Sequence, residues 1–280
     1  MKNTITTLRI VRELFLRNIL NILFCILALF FVIAFEKTEI ERVEIIFLNV
    51  GQGDAILIQQ GNYQILVDGG DDDTVLYELA KFLPWYDKTI EKVILTHPHA
   101  DHINGLLLVL KKYAVGEILY NPVKYDNGAY EYLKKEYSEL LVESKAGDFF
   151  EYMDIYGMVL FPFEGESRQE SNVNNTSVVM FFVLNGYKVL LMGDAELEQE
   201  EKILGYEFLQ GIDILKAGHH CSRTSSSLTF LRFTQPRVAV CMCGSGNSFG
   251  HPHYETLEKF ENLNVQYFLT YRDGNIKFSF

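Results

Sequence analysis

All seven histidines of this 280-residue chain fall into three short clusters: His97, His99 and His102; His219 and His220; His251 and His253. Histidines that only satisfy a core are not expected to segregate in this way. The first cluster reads Thr96-His97-Pro98-His99-Ala100-Asp101-His102 and follows the apolar run Val93–Leu95, so a strand delivers it to a sheet edge. Residues two apart in an extended chain point to the same side, which sets His97 and His99 together, and the turn beyond them brings Asp101 and His102 in from another direction. Two imidazoles, then a carboxylate with a further imidazole, suit two neighbouring cations. Asp194, in Met192-Gly193-Asp194 at the end of another apolar run, is the expected bridging carboxylate, with Gly193 permitting the sharp exit. Its competing reading is a turn or N-cap aspartate ahead of the helical pattern Glu196–Leu204. In Lys216-Ala217-Gly218-His219-His220 one histidine is expected as a terminal ligand. His219, nearest the strand end, is favoured, and the spacing leaves His220 open.

Strands are predicted at Val43–Leu48, Ala55–Ile58, Gln64–Val67, Lys92–Leu95, Met158–Phe161, Ser177–Leu184, Lys188–Met192, Ile212–Leu215, Arg237–Met242, Gln266–Leu269 and Ile276–Phe280. Helical patterns occupy Thr74–Leu83, Ile103–Tyr113, Ala129–Val142, Glu196–Leu204, Ser226–Phe233 and His253–Asn262, with Asp73, Asp101 and Ser225 as N-caps. Interspersed strands and helices of this kind suggest two sheets with helices on the outer faces.

The N-terminus has a different character. Ile19 to Phe35 carries no charge, Lys2, Arg9, Arg12 and Arg17 precede it, and Glu36, Glu39 and Glu41 follow. An apolar run of this length with basic flanks on one side reads as a membrane span whose basic end stays in the cytoplasm. The expected organisation is a basic cytoplasmic segment at 1–18, a transmembrane anchor or cleaved signal at 19–36, and one domain at 41–280 outside the cytoplasm. If the segment is cleaved, the domain is secreted. The net charge is −12, and without the first 35 residues, which hold four basic residues and Glu13, it becomes −15. Such a surface repels phosphate backbones at long range and excludes a broad basic nucleic-acid face, while a local metal site can still take a phosphodiester. Of four cysteines, Cys25 lies in the apolar run, leaving Cys221, Cys241 and Cys243. The odd number predicts at least one free thiol, and no disulfide framework is expected.

The pattern His-x-His-x-Asp-His with a later Asp and His after strands resembles the metallo-β-lactamase superfamily. The motifs Asn49-Val50-Gly51-Gln52-Gly53-Asp54-Ala55, Leu66-Val67-Asp68-Gly69-Gly70, Asn174-Asn175-Thr176-Ser177, His219-His220-Cys221-Ser222 and Gly250-His251-Pro252-His253 narrow the likeness further. Together they resemble the extracellular C-terminal domains of the ComEC family of DNA-uptake channel proteins, over about Glu44 to Phe280. The resemblance implies an αββα sandwich with its site along one edge. It implies one metal on His97, His99 and Asp194, a second on Asp101, His102, Asp194 and His219, and Asp68 supporting the histidine loop from behind. Cys221 stands where related patterns have glycine and is read as filling space.

No histidine lies between His102 and His219, where many superfamily members have one, and Asn174 to Ser177 occupy that stretch. Amide and hydroxyl oxygens suit harder ions than zinc, so two divalent ions, Zn or Mn, are expected, the first site being weak, favouring Mn²⁺ or borrowing His251. Asn174 and Asn175 as plain turn residues are the alternative. Asp101 is expected to orient the attacking water, with His251 or Lys216 steadying developing charge. The favoured activity is phosphodiester hydrolysis, with DNA as a possible substrate. The alternatives are cleavage of a small lactone, lactam, thioester or lipid headgroup, and a non-catalytic membrane-tethered module.

Overall fold

The computed structural model describes residues 15–31, 42–166 and 172–280. Residues 1–42 and 43–280 form two separate compact units. In the first, residues 15–31 are a helix, α1, exposed along its length. No helix among the described residues is long and apolar enough to cross a membrane. The expected span at 19–36 and its basic flank at 1–18 run into residues outside those described.

The second unit begins with β1 (Val43–Phe47), β2 (Ile56–Gln60), β3 (Tyr63–Val67), α2 (Thr74–Leu79), β4 (Thr89–Leu95), α3 (Ala100–Lys112), β5 (Ala114–Tyr120), α4 (Gly128–Glu136) and β6 (Leu141–Glu143). It continues through β7 (Phe149–Tyr152), β8 (Ile155–Phe161), β9 (Val179–Leu184), β10 (Tyr187–Leu191), α5 (Leu197–Ile203), β11 (Ile214–Lys216) and α6 (Leu228–Thr234). β12 (Val238–Cys241), α7 (Tyr254–Asn262), β13 (Gln266–Leu269), α8 (Thr270–Asp273) and β14 (Ile276–Ser279) complete it. Two seven-stranded sheets result, ordered β14-β1-β2-β3-β4-β5-β6 and β13-β12-β11-β10-β9-β8-β7.

Period-two patterning builds the layers. Val43, Ile45 and Phe47 of β1 join Met180, Phe182 and Leu184 of β9 in the core between the sheets. Ile46 of β1 and Leu57 of β2 turn the other way, onto Val75, Leu79, Ile103 and Leu106 of α2 and α3. On the far side, Leu190 and Leu215 pack under Ile203, Phe230 and Phe260 of α5, α6 and α7. Each such buried side chain contributes about 1.5–3 kcal/mol relative to exposure. The order helix, sheet, sheet, helix is the expected αββα sandwich.

β3 to β6 run parallel in one sheet and β10 to β13 in the other. Ligands of parallel sheets bind beyond the carboxyl ends of the strands, and the loops after β4, β10, β11 and β12 carry the histidine and aspartate motifs to one edge.

Several local expectations are corrected. The helix predicted over Ala129–Val142 ends at Glu136, and a short 3-10 turn then leads into edge strand β6. β5, not expected, is masked in sequence by Gly116, whose absent side chain lets Glu91 O approach to 2.4 Å of where a Cβ would stand. The N-caps are His99 for α3, with Asp101 inside its first turn, and Ser227 for α6, whose hydroxyl accepts from Phe230 N. Asp73 is the N-cap residue of α2, as expected, but the side chain that accepts from Thr74 N is that of Asp72. Cys221 and Cys241 form a disulfide, so Cys221 is a crosslink and not filler. Cys243 is buried as a free thiol, which burial pushes up to about 11.

Candidate metal centre

The loop after β4 places His97 and His99 with Nε2 and Nδ1 3.0 Å apart. After β10, Gly193 takes φ 53°, and a Cβ there would stand 3.0 Å from both Thr96 and Ser177, so glycine alone allows the chain to turn Asp194 inward. Ser177 Oγ accepts the Asp194 N–H at 3.0 Å and fixes that turn. Asp194 Oδ2 then lies 3.7 Å from His97 Nε2, 3.4 Å from His102 Nε2 and 3.3 Å from His220 Nε2. Asp101 closes the group, 3.3 Å from His220 Nε2 and 3.9 Å from His102 Nε2.

Backbone and side-chain partners set which ring nitrogens face inward. Asp68 Oδ2 accepts from His102 Nδ1 at 2.7 Å and from the Thr96 hydroxyl at 2.6 Å, while its Oδ1 accepts the Thr96 N–H at 2.8 Å. With its proton committed to Asp68, Thr96 Oγ1 accepts from His97 Nδ1 at 3.1 Å. His220 Nδ1 donates to the Met242 carbonyl at 2.8 Å. Three rings are thereby left with Nε2 toward Asp194. Such outer partners orient metal-ligating histidines.

The second histidine motif resolves differently from the sequence preference. His219, His220 and Cys221 take φ of 46°, 52° and 63°, three successive left-handed residues without a glycine. That twist turns His220 into the cluster, and His219 outward to Glu196 Oε1, 2.9 Å from Nδ1. His220 stands where His219 was favoured. His251 lines the mouth, its ring centre 5.1 Å from that of His219 and 5.9 Å from that of His220. Lys216 is fully buried, ion-paired with Asp54 and 3.6 Å from Asp194 Oδ1, so it balances interior carboxylates and does not reach into the cleft. Asn174 lines the cleft with its Oδ1 buried and unbonded among the described residues, and its Nδ2 lies 3.3 Å from His219 Nε2. Asn175 points its amide toward Glu198.

The sequence motifs assign no part to Asp54, Thr96 or Glu196. Asp54 stood in the Gly51-Gln52-Gly53-Asp54 motif without a role. The structure buries it between Lys216 and His220, in a loop so close to Asp101 that a Cβ on Gly53 would lie 2.0 Å from its carbonyl oxygen.

The residues fit divalent ions. Ligand atoms about 2.0–2.1 Å from one zinc stand roughly 3.3 Å apart, the range of the spacings found here. Nε2 of His102 and of His220 and Oδ1 of Asp194 are buried without hydrogen bonds among the described residues. Burial opposes ionisation of Asp194, yet His220 and His102 hold it well below the usual carboxylate range. Burial likewise opposes protonation of His102 and His220, and the carboxylates around them, Asp194 foremost, lift both well above the usual imidazole range. His97, deep in the group, is pushed the other way by burial and by His102. The carboxylates of Asp54, Asp68, Asp101 and Asp194 thus draw positive charge to the ring nitrogens between them.

Residues 48–245 match the family profile of the Metallo-beta-lactamase superfamily. ComE operon protein 3 of Bacillus subtilis (strain 168) is 26% identical over 266 residues, covering 85% of this chain and 33% of that protein. Recombination protein 2 of Haemophilus influenzae is 28% identical over 282 residues, covering 98% of this chain and 34% of that protein. The chain spans about a third of the length of these curated relatives, which bear out the resemblance to the competence proteins. Among solved structures, the metallo-beta-lactamase fold protein YhfI of Bacillus subtilis superposes with a TM-score of 0.57 at 12% identity, covering 86% of this chain and all of its own, which shows a common fold. With the sandwich, the strand-end motifs and a profile match over most of its length, the chain belongs to the metallo-β-lactamase superfamily.

Proposed function

We propose that this chain is a metal-dependent phosphodiesterase whose domain at 41–280 works outside the cytoplasm, held to the membrane through its N-terminal segment. One observation carries the reading: the ring nitrogens of His97, His102 and His220 converge on Asp194 Oδ2 at 3.3–3.7 Å, each with its other nitrogen already committed. His97, His99 and Asp194 are assigned to one ion, and Asp101, His102, His220 and Asp194 to the other. Bound there, Zn²⁺ or Mn²⁺ supplies the Lewis acidity and the acidified water that phosphodiester hydrolysis at neutral pH requires. The chain's own contribution is placement. Asp101, partly open to the cleft, holds and orients the attacking water, Asp68 and Met242 fix the rings, and Lys216 offsets the charge of Asp54 and Asp194. The likeness to proteins named for recombination and the ComE operon favours a nucleic-acid phosphodiester.

A second reading, hydrolysis of a small neutral lactone or lactam, is favoured by the charge of −15 on residues 36–280 and by a cleft of about 260 Å³. The test is a substrate panel with the metal-loaded chain. The phosphodiesterase reading expects release of p-nitrophenol from bis(p-nitrophenyl) phosphate, abolished by chelation and by His97→Ala. Turnover of a lactam or lactone alone would replace it with the second reading. For the location, protease added to intact cells should reach the domain; protection until lysis would refute the external placement.

A further inference from the structure

Most large apolar side chains near the cleft are covered, but Phe249 is 62% exposed. It lines the same cleft as His99, Asp101, Asp194 and His220. One face of its ring lies on His251, the planes 20° apart and the centres 5.8 Å apart. The loop that presents it is built. Asn247 Oδ1 accepts the Phe249 N–H at 3.1 Å and the His251 N–H at 3.0 Å, and Asn247 Nδ2 donates back to the Gly244 and His251 carbonyls. An aromatic ring backed by a second ring, with its other face open beside a reactive centre, is a platform for a planar group.

A second, independent feature stands on the same cleft. Gln52 Oε1 accepts the Gly244 N–H at 3.2 Å, which fixes the orientation of the carboxamide. Its Nε2 is buried and has no hydrogen-bond partner among the described residues. A fixed, buried donor left unpaired is destabilising unless a ligand supplies the acceptor. Gln52 belongs to the Gly51-Gln52-Gly53-Asp54 turn, and in the hydrolytic reading above only Asp54 has a part.

We infer that Phe249, His251 and Gln52 form a nucleotide subsite: a nucleobase stacks on the open face of Phe249 while Gln52 Nε2 donates to a non-bridging phosphate oxygen. The inference rests on the phosphodiesterase reading and narrows its substrate to nucleobase-bearing phosphodiesters. A single platform, on residues 36–280 whose net charge of −15 disfavours tracking a backbone, selects a short piece or the end of a single strand over the middle of a duplex.

The test compares two esters with the same leaving group, thymidine 5′-(p-nitrophenyl phosphate) and methyl p-nitrophenyl phosphate, using the full metal-loaded chain. Phe249→Ala should raise KM for the nucleoside ester about tenfold relative to KM for the methyl ester, the scale of one lost base stack, and Phe249→Trp should restore the preference. Gln52→Ala should lower kcat/KM for both esters by a similar factor, about tenfold, because both carry the phosphate oxygen it serves. An unchanged KM ratio in Phe249→Ala, or full activity of Gln52→Ala on both esters, overturns the subsite. If the wild-type chain cleaves neither ester, the phosphodiesterase reading fails by itself. Equilibrium binding of thymidine 5′-monophosphate then decides the subsite: weaker binding by Phe249→Ala retains the platform, and equal affinity removes it.

Discussion

His220 Nδ1 lies 2.8 Å from the carbonyl oxygen of Met242, and that bond fixes which nitrogen of the ring faces the centre. With the proton on Nδ1 committed, Nε2 faces Asp194 and Asp101. His219, one residue earlier, is held by Glu196 and Thr224. His220→Ala should therefore lose bound metal and reduce turnover at least about 100-fold, whereas His219→Ala should keep its metal content. Metal per chain after dialysis distinguishes them, and equal losses from both would refute the assignment.

On the proposed ligand sets, two ions should bind unequally. The His97/His99 set has two nitrogens and a share of Asp194, while the other adds Asp101 to His102 and His220. Titration into stripped protein should show two steps, with activity rising mainly on the second. Asn174→His should tighten the weaker step, because Asn174 lines the cleft with a bare Oδ1. Two equal, tight steps unaffected by that change would contradict the ligand sets.

Lys216 and Asp54 should behave as a pair. Both are buried, and Lys216 also faces Asp194. Lys216→Met alone leaves two buried carboxylates without their cation and should cost about 3–5 kcal/mol in urea unfolding. Adding Asp54→Asn should recover part of that loss. If the double change is as costly as the two single ones summed, the groups are not coupled.

The disulfide should matter for stability out of proportion to its size. Cys221–Cys241 closes a loop with a sequence separation of 20 and ties the left-handed turn at His219–Cys221 to β12. Chain entropy alone sets its contribution near 3 kcal/mol. Cys221→Ser should lower the unfolding midpoint accordingly and weaken metal binding at His220. An unchanged midpoint under reducing and oxidising conditions would show that the crosslink is dispensable.

The chemistry was more legible in the sequence than the geometry that directs it. His97, His99, His102 and Asp194 announce themselves because each motif follows an apolar strand and histidine is absent outside three short clusters. The choice between His219 and His220 depends on three consecutive positive φ angles, which non-glycine residues rarely adopt and no pattern of residue types signals. The Asp54–Lys216 pair and the Cys221–Cys241 bridge join residues from different loops and strands, so their partners become visible only with the tertiary structure. β5 was hidden by Gly116 and Glu117, which break its alternation, although pairing with β4 overrides both.

The centre draws His97, His99, Asp101 and His102 from the sheet that contains β4, and Asp194 and His220 from the sheet that contains β10 and β11. Ions held there fasten the two leaves of the sandwich along one rim, like a clasp. Stripping them with a chelator should loosen that rim, so that amide hydrogen exchange rises in the loops after β4, β10 and β11, while the paired strands Val43–Phe47 and Ile56–Gln60 keep their protection. Sensitivity to proteases would then report metal occupancy, the reactive edge being where a chain stripped of its ions is cut first.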